Sequence, residues 1–345
     1  MAEVAALKGR ETIRRPGVDL GRAGAILPPL LSGLLILVAL IGLIGTAIKN
    51  PRPHDIQVGL VGPAPATQQI STAFASKLPG AFQFRSYASE GAARAAVDSR
   101  AVDGILLLNA GGPRLIVAGA AGDTVTGVIS GAFTAAFKAQ GQTVTVETVH
   151  PFAGGDPHGL ILFFAILAVL ISTLVVGAQV GLRLEIAFSL QLLLVAVYAV
   201  VAALVAMGMA TWLAGDYGSG FWLATGVAAL ASAAVGAVVA GSARLFGVAG
   251  VGLSALVVVL LDLVSSGGPL GSQLLPAFYR WLAPGMPVAQ LYSGMRGALY
   301  FDNAGIGLSV AVLSAWLVGG VVLMLLGELV RRRSRARVAL GPART

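Results

Sequence analysis

The sequence predicts an α-helical polytopic membrane protein with six transmembrane helices and an extracytoplasmic α/β (α+β) domain between the first two of them. Three observations support this fold class. Hydrophobic residues make up 57% of the chain and charged residues 11%, with a mean hydropathy of +0.86, which is unusual for a water-soluble domain. Several apolar runs are long enough to cross a bilayer. Between the first two runs, a stretch of roughly a hundred residues has the pattern of a folded domain instead.

A basic segment at residues 1–24 precedes the first apolar run, at residues 26–48. This run is longer than the apolar core of a signal peptide, so we expect a retained transmembrane helix. The positive-inside rule then places the basic segment in the cytoplasm. The segment has a weakly amphipathic pattern, and either a helix along the inner membrane surface or a disordered tail fits it.

Residues 49–157 are expected to form the extracytoplasmic domain, because strand-like and helix-like patterns alternate there. Strands are predicted at 56–61, 82–87, 104–108, 114–118 and 143–149. Helices are predicted at 66–78 and at 90–100, the second with Ser89 as its N-cap. Asp123 is expected to cap a third helix whose apolar face contains Val125, Ile129, Phe133 and Phe137.

Five further spans are predicted at 160–180, 186–213, 222–240, 246–264 and 306–326, within a helical domain at 158–330 that is followed by a basic tail at 331–345. With six spans, both termini and the turns at Arg183 and Arg244 lie in the cytoplasm, together with 13 of the 23 Lys and Arg residues. We expect these basic ends to set topology and contact anionic lipids, not nucleic acid. The run at 222–240 is rich in small residues, which favours close internal packing and leaves a dimer seam as the alternative.

The connection at 266–301 is too polar and too rich in Pro and Gly to cross the membrane, yet it has two apolar stripes at helical spacing. The first stripe contains Leu274, Leu275, Phe278, Trp281 and Leu282. The second contains Val288, Leu291, Tyr292, Met295 and Leu299. They predict a helical hairpin whose first helix ends at Pro284. The hairpin either lies flat in the interface or enters the membrane as a re-entrant element.

The order of residues in this hairpin resembles the loop before the last transmembrane helix of ABC-2-type transporters, nearest to the YhgE/Pip (phage-infection-protein-like) branch. The residues that carry the resemblance are Ser266, Gly267, Gly268, Leu275, Pro276, Phe278, Arg280, Trp281, Pro287, Arg296 and Tyr300. The layout of one helix, an outer domain and five helices is similar as well. The resemblance implies a permease whose ATP hydrolysis comes from a separate subunit, which Arg183 and Glu185 on a cytoplasmic turn are expected to contact.

Motifs for catalysis are not evident in the sequence. There is no Cys, no phosphate-binding loop and no recognisable catalytic set or cofactor motif, so we expect no enzyme and no cofactor. The histidines, His54, His150 and His158, flank the outer domain. They form either a metal or proton-sensing cluster or ordinary polar residues at an interface, and we expect the second because no residue spacing supports a ligand set.

Asp262 is the charged residue closest to the lipid on the outer side, and buried charges in membrane segments are often functional. It is expected either to relay protons or substrate, or to be satisfied by the hairpin amides or by Arg280 or Arg296. The candidate outer gate comprises Asp262, Pro276, Phe278, Arg280, Trp281 and Arg296. Glu328 is expected to pair with the arginines that follow it.

Two functions remain open from the sequence. The first is a subunit of a bacterial inner-membrane exporter for a hydrophobic or amphipathic compound, acting as a homodimer or heterodimer. The second is a non-transporting envelope protein whose outer domain binds a partner, a lipid or a cell-wall component.

Overall fold

The computed structural model describes residues 20–339, with side chains from residue 31 to residue 333 except those at 32, 259 and 260. Residues up to Gly42 form one unit, and the chain from Leu43 onward forms a second, compact unit that contains both the sheet and the helical bundle. The helices outside the sheet domain are α1 (Leu20–Ile48), α5 (Leu160–Arg183), α6 (Phe188–Ala214), α7 (Phe221–Phe246), α8 (Val248–Ala255), α9 (Leu263–Ser265), α10 (Ala277–Leu282), α11 (Pro287–Tyr300) and α12 (Ile306–Ala339).

The domain after α1 is a five-stranded mixed sheet with three helices. Its elements are β1 (Ile56–Val61), α2 (Ala64–Lys77), β2 (Phe82–Ser86), α3 (Glu90–Asp98), β3 (Gly104–Asn109), β4 (Gly112–Ala118), α4 (Asp123–Lys138) and β5 (Thr145–Val149). The strand order is β2-β1-β3-β4-β5, and only the β3–β4 pair is antiparallel. This is the α/β domain that the sequence predicts, with strand boundaries within two residues of those expected.

Successive strand residues point to opposite sides of the sheet. Both faces of the central strands are covered by packed side chains. Leu106 faces α2 and α4, where Phe74 and Phe133 stack with their ring centroids 4.6 Å apart. Ile105 faces the other side, where α3 packs. Phe301, which directly follows α11, completes this second core at 2% exposure. The hydrophobic core of the domain therefore includes a side chain from the helical bundle.

Two details of the domain differ from the prediction. The helix expected at 90–100 ends at Asp98, and Arg100 has a left-handed backbone with φ of 61°. Asp123 is the first residue of α4 rather than its cap, because Gly122 holds the N-cap position without a side-chain hydrogen bond. The Asp123 carboxylate lies 3.2 Å from His158 instead. The Ser89 cap and the apolar face of α4 are confirmed.

Within the described part of the chain, five helices are long and apolar enough to cross a membrane, and they match the five later spans that the sequence predicts. They are Leu160–Arg183, Phe188–Ala214, Gly218–Phe246, Val248–Leu270 and Ile306–Arg333. The fourth begins as α8, continues as a π-helical segment (Leu256–Asp262) and ends with α9. In α1, the apolar part found is the shorter Gly33–Ile48. The sixth span therefore stays a prediction.

The small residues of α7 place this helix at the centre of the bundle, against α5, α6, α11 and α12. At the crossing with α5, a methyl group added to Gly181 would lie 2.5 Å from the Ala243 Cβ. Gly177 and Gly236 meet in a similar close approach one turn earlier. Internal packing, the interpretation favoured from the sequence, accounts for the small-residue run.

The hairpin has two unlike halves. α11 is inserted between α7 and α12, and four residues of its predicted stripe, Val288, Leu291, Tyr292 and Met295, are buried. The prediction that the first stripe forms a single helical face was wrong. Leu274 and Leu275 precede α10 and are buried, whereas Phe278 and Trp281 on α10 are exposed. Only the second half of the hairpin is thus taken into the bundle.

The expected terminal segments lie partly outside the described residues. Residues 20–24 of the segment at 1–24 belong to α1, and α12 continues to Ala339, through more than half of the expected tail at 331–345.

Candidate functional site

Asp262 anchors the inserted half of the hairpin. Its side chain is fully buried and accepts hydrogen bonds from the backbone amides of Val288, at 2.6 Å, and Ala289, at 3.0 Å. These are the first free amides of α11, since Pro287 has no N–H group. The carboxylate therefore serves as a helix cap supplied by the preceding span, as one of the two sequence interpretations anticipated. The expectation that Arg280 or Arg296 pairs with Asp262 was wrong. The Arg280 guanidinium pairs with Asp55, and the Arg296 guanidinium donates to the Ala120 carbonyl.

A second set of polar contacts ties the hairpin to α12. Ser309 donates to the Gln290 Oε1 at 3.0 Å, and Gln290 in turn donates to the Pro284 carbonyl at 2.9 Å. The Trp316 indole donates to the Gly285 carbonyl at 2.8 Å. Close packing accompanies these bonds, because a methyl group at Gly294 would lie 3.0 Å from the Ser309 Cβ. α12 is thus bound both to the bend of the hairpin, at Gly285, and to α11, at Gln290.

The other candidate gate residues on α10 are spread between membrane and domain. Pro276 holds the N-cap position of α10, with an extended backbone. Phe278 and Trp281 are 54% and 77% exposed, which suits aromatic anchors at a membrane interface. Arg280 pairs with Asp55 of the sheet domain at 2.7 Å. Hydrogen bonds from Arg280 and Gln83 hold the pKa of Asp55 below its usual value.

Arg100 and Arg296 form further links between the domain and the hairpin. Arg100 donates to the Ser293 carbonyl at 3.0 Å and to the Ala304 carbonyl at 3.3 Å, while Arg296 donates to the Ala120 carbonyl. The two arginines reach across the junction in opposite directions. Their apolar stems and charged heads are both sheltered, and Arg296 is only 8% exposed.

A polar cavity of about 290 Å³ lies at this junction. The residues around it that carry polar side chains include Arg100, Asp103, Gln273, Gln290, Tyr292 and Arg296. Asp103 accepts hydrogen bonds from the Gln57 amide at 3.2 Å and from Gln273 at 3.3 Å. Burial raises the pKa of Asp103, and burial together with the nearby Arg296 charge lowers the pKa of Arg100 to about 10. The charged forms of both groups are thus held in a poorly hydrated site.

The opposite end of the bundle, which we call the distal end, contains the turn between α5 and α6. Arg183 and Glu185, the candidate coupling residues, are both exposed there. Beneath them, buried Arg244 donates to the Leu184 carbonyl at 3.1 Å and pairs with Glu328 at 2.8 Å. Glu328 also pairs with Arg332, as predicted, and Arg331 donates to the Gly181 carbonyl at 3.0 Å. The turn is therefore fixed to α7 and α12.

Two of the three histidines, His150 and His158, contact separate carboxylates. His150 lies 2.8 Å from Asp98, and His158 lies 3.2 Å from Asp123. Within residues 20–339, the structure brings no three His, Asp or Glu side chains into an arrangement that would hold a metal ion.

Sequence reasoning missed Arg100, Asp103, Gln273 and Tyr292 as site residues. Arg100 and Ser293 are 193 positions apart in the chain, so no local pattern connects them. One signal was available: a charged residue, Asp103, directly before a strand that is apolar over most of its length. Such a position indicates a carboxylate held at a sheet end.

The chain matches no protein-family model, no curated protein and no solved structure.

Proposed function

We propose that this protein is an ABC-2-type permease-like subunit that exports a hydrophobic or amphipathic compound, with ATP hydrolysed by a separate subunit bound at the distal end. The observation that carries the proposal is an unbroken series of contacts from the distal turn to the hairpin. Arg244 joins that turn to Glu328 on α12, and α12 contacts the hairpin through Ser309 and Trp316. In the proposed mechanism, movement of the turn passes along α12 to the hairpin.

Two further features support transport. The hairpin resembles the corresponding loop of ABC-2-type transporters, and its second helix is inserted into the bundle rather than lying on it. An apolar groove of about 580 Å³ between α5 and α6, with Phe164, Met209 and Leu213 among its walls, suits an apolar compound. Transport of this kind needs no catalytic group in the chain itself, because the separate subunit hydrolyses ATP.

The test is copurification from native membranes in mild detergent, using the double reversal Arg183→Glu, Glu185→Arg. We expect the tagged wild-type protein to retain a stoichiometric ATP-binding subunit and the reversal to lose it, because both exposed side chains change sign at the contact. Arg85→Glu, an exposed charge reversal in the sheet domain, is the matched control and should keep the partner.

Recovery of the wild-type protein with only its own copies or envelope proteins would overturn the permease proposal. It would favour the second function, a non-transporting envelope protein, for which the polar cavity at the domain junction is the supporting observation. Equal retention by wild type and reversal would place the ATP-binding subunit elsewhere and overturn the role of the turn.

A further inference from the structure

The cavity between the sheet domain and the hairpin contains two arginines whose charges are not neutralised by ion pairs. Arg100 bonds to the carbonyls of Ser293 and Ala304 and to the Ser293 hydroxyl, at 3.0 to 3.3 Å. Arg296 bonds to the Ala120 carbonyl. Across residues 20–339, neither guanidinium is within ion-pair distance of a carboxylate. Carbonyl groups orient these cations but leave their charge in place.

Asp103 is the one carboxylate among the described residues that line the cavity. Its oxygens are already engaged by the Gln57 amide and by Gln273. With Asp103 ionised, the three charged groups sum to one excess positive charge, and with Asp103 protonated the excess is larger. Buried charge that is not compensated is strongly unfavourable in a protein interior. The cavity thus has the electrostatic character of an anion site.

Two residues that line the cavity each have a hydrogen-bond donor that is unused. The Arg296 Nε and the Tyr292 hydroxyl are both buried, and neither has a partner among the described residues. The two residues are one turn apart on α11, and the Arg296 guanidinium lies 5.3 Å from the Tyr292 ring centroid. Tyr292 is 3% exposed and Arg296 is 8% exposed. Donors of this kind, one charged and one neutral, bind an oxyanion by charge-assisted hydrogen bonds.

We propose that this cavity binds a phosphate-type oxyanion, held by Arg296 and Tyr292 from α11 and by the charge of Arg100 from the sheet domain. Its volume of about 290 Å³ is near the lower limit for small-molecule sites, which suits a phosphate or a phosphodiester rather than a larger ligand. The proposal is independent of transport, since it requires only that the domain and the hairpin stay together.

Two sources would supply such a group: free phosphate and the headgroup of an anionic phospholipid. The cavity is also lined by Ala283 and Pro284, which directly follow α10. Trp281 on that helix is exposed as an interface anchor would be. The cavity therefore adjoins the part of the hairpin expected at the level of the lipid headgroups.

The experiment uses the full chain in detergent and two probes. Inorganic phosphate is titrated by calorimetry, and phosphatidylglycerol is added in competition with phosphatidylcholine, with the retained lipid counted by native mass spectrometry. The key variant is Tyr292→Phe, which removes only a hydroxyl that has no partner, so the fold is preserved. Tyr87→Phe, in the sheet domain and outside both this cavity and the apolar groove, is the matched control.

We expect one of the two probes to bind wild type and the Tyr87→Phe control equally, and Tyr292→Phe to bind it about tenfold more weakly, because a hydrogen bond to a charged group is lost. Arg296→Gln should abolish the binding. Phosphatidylglycerol retention without phosphate binding would identify a lipid headgroup as the ligand, and the reverse would identify the free anion. Binding of neither probe, or binding that Tyr292→Phe leaves unchanged, overturns the proposal.

Discussion

At the scale of single residues, Asp262 illustrates why a charge near the membrane is informative before its role is known. Its carboxylate bonds two backbone amides at the start of α11, which gives a structural reason for a charge in an apolar span. A helix whose first amides are buried needs an acceptor from elsewhere in the chain. A preceding span can supply one only as a side chain, and a carboxylate accepts from two amides at once.

Substitution of Asp262 by Asn should lower the free energy of unfolding by about 1–3 kcal/mol, because one buried amide loses its acceptor. Asp302→Asn, an exposed position with a left-handed backbone that Asn tolerates, is the control and should be close to neutral. Thermal unfolding in detergent, followed by intrinsic tryptophan fluorescence, measures both. An Asp262→Asn protein that is as stable as wild type but loses transport would support the relay of protons or substrate instead.

The Arg280–Asp55 pair should contribute a pH-dependent part of the stability. The pKa of Asp55 is lowered in the folded protein, so the contribution is present above the unfolded value of about 3.9. It is lost as pH falls through the lower folded value. Because Asp55 is 45% exposed, we expect less than about 1 kcal/mol. Melting curves of wild type and Arg280→Gln between pH 7 and pH 3 should differ at neutral pH and converge in acid. A difference that does not change with pH would contradict this assignment.

Residue roles were predictable where the cause is local and not where it is tertiary. The Ser89 cap, the apolar face of α4 and the Glu328–Arg332 pair follow from spacings of three or four residues. The Arg244–Glu328 and Arg100–Ser293 contacts join residues 84 and 193 positions apart. Only the packing of the bundle and the domain brings such side chains together.

At the scale of elements, the hairpin shows the limit of periodicity. Both stripes have helical spacing, but only the second is buried along its helix, whereas Phe278 and Trp281 of the first are exposed on α10. The difference lies in the surroundings. α11 packs closely against its neighbours through small residues, its own Gly294 and Gly220 directly before α7, while Phe278 and Trp281 on α10 are exposed. Apolar spacing indicates that a helix has an apolar face, but it does not distinguish a protein neighbour from lipid.

The crossing of α5 and α7 should be sensitive to a single methyl group. Gly181→Ala places a Cβ 2.5 Å from the Ala243 Cβ, so we expect overpacking to destabilise the protein by about 1–3 kcal/mol. Gly208→Ala on α6 has open space around it and should be neutral or slightly stabilising, because Ala is the better helix former. Chemical unfolding in mixed micelles compares the two. Equal stability would show that the helices separate more easily than the structure indicates.

At the scale of the whole molecule, the sheet domain and the bundle share a core and a charged junction. Phe301 is buried among domain residues, and Arg100 bonds to the hairpin and to the loop after it. Removal of the domain would therefore leave an exposed aromatic side chain and an unsupported hairpin. The division into one helix, a domain and five helices was predictable from composition, whereas this interdependence was not, because it is carried by a few long-range contacts.

The side of the membrane that each end of the molecule faces is decisive for a role in transport. The permease proposal requires the distal turn on the side of ATP, and it requires the sheet domain and the cavity on the other side. The chain contains no Cys, so single cysteines report position without a background. Ser99→Cys in the domain and Ala187→Cys in the distal turn are both exposed positions.

The decisive measurement is labelling of these two variants in intact cells with a membrane-impermeant maleimide, before and after permeabilisation. Tags at the two termini serve as further reporters. We predict that Ser99→Cys is labelled in intact cells, whereas Ala187→Cys and both termini become accessible only after permeabilisation. Labelling of Ala187→Cys from outside, or termini on opposite sides, would contradict the six-span permease.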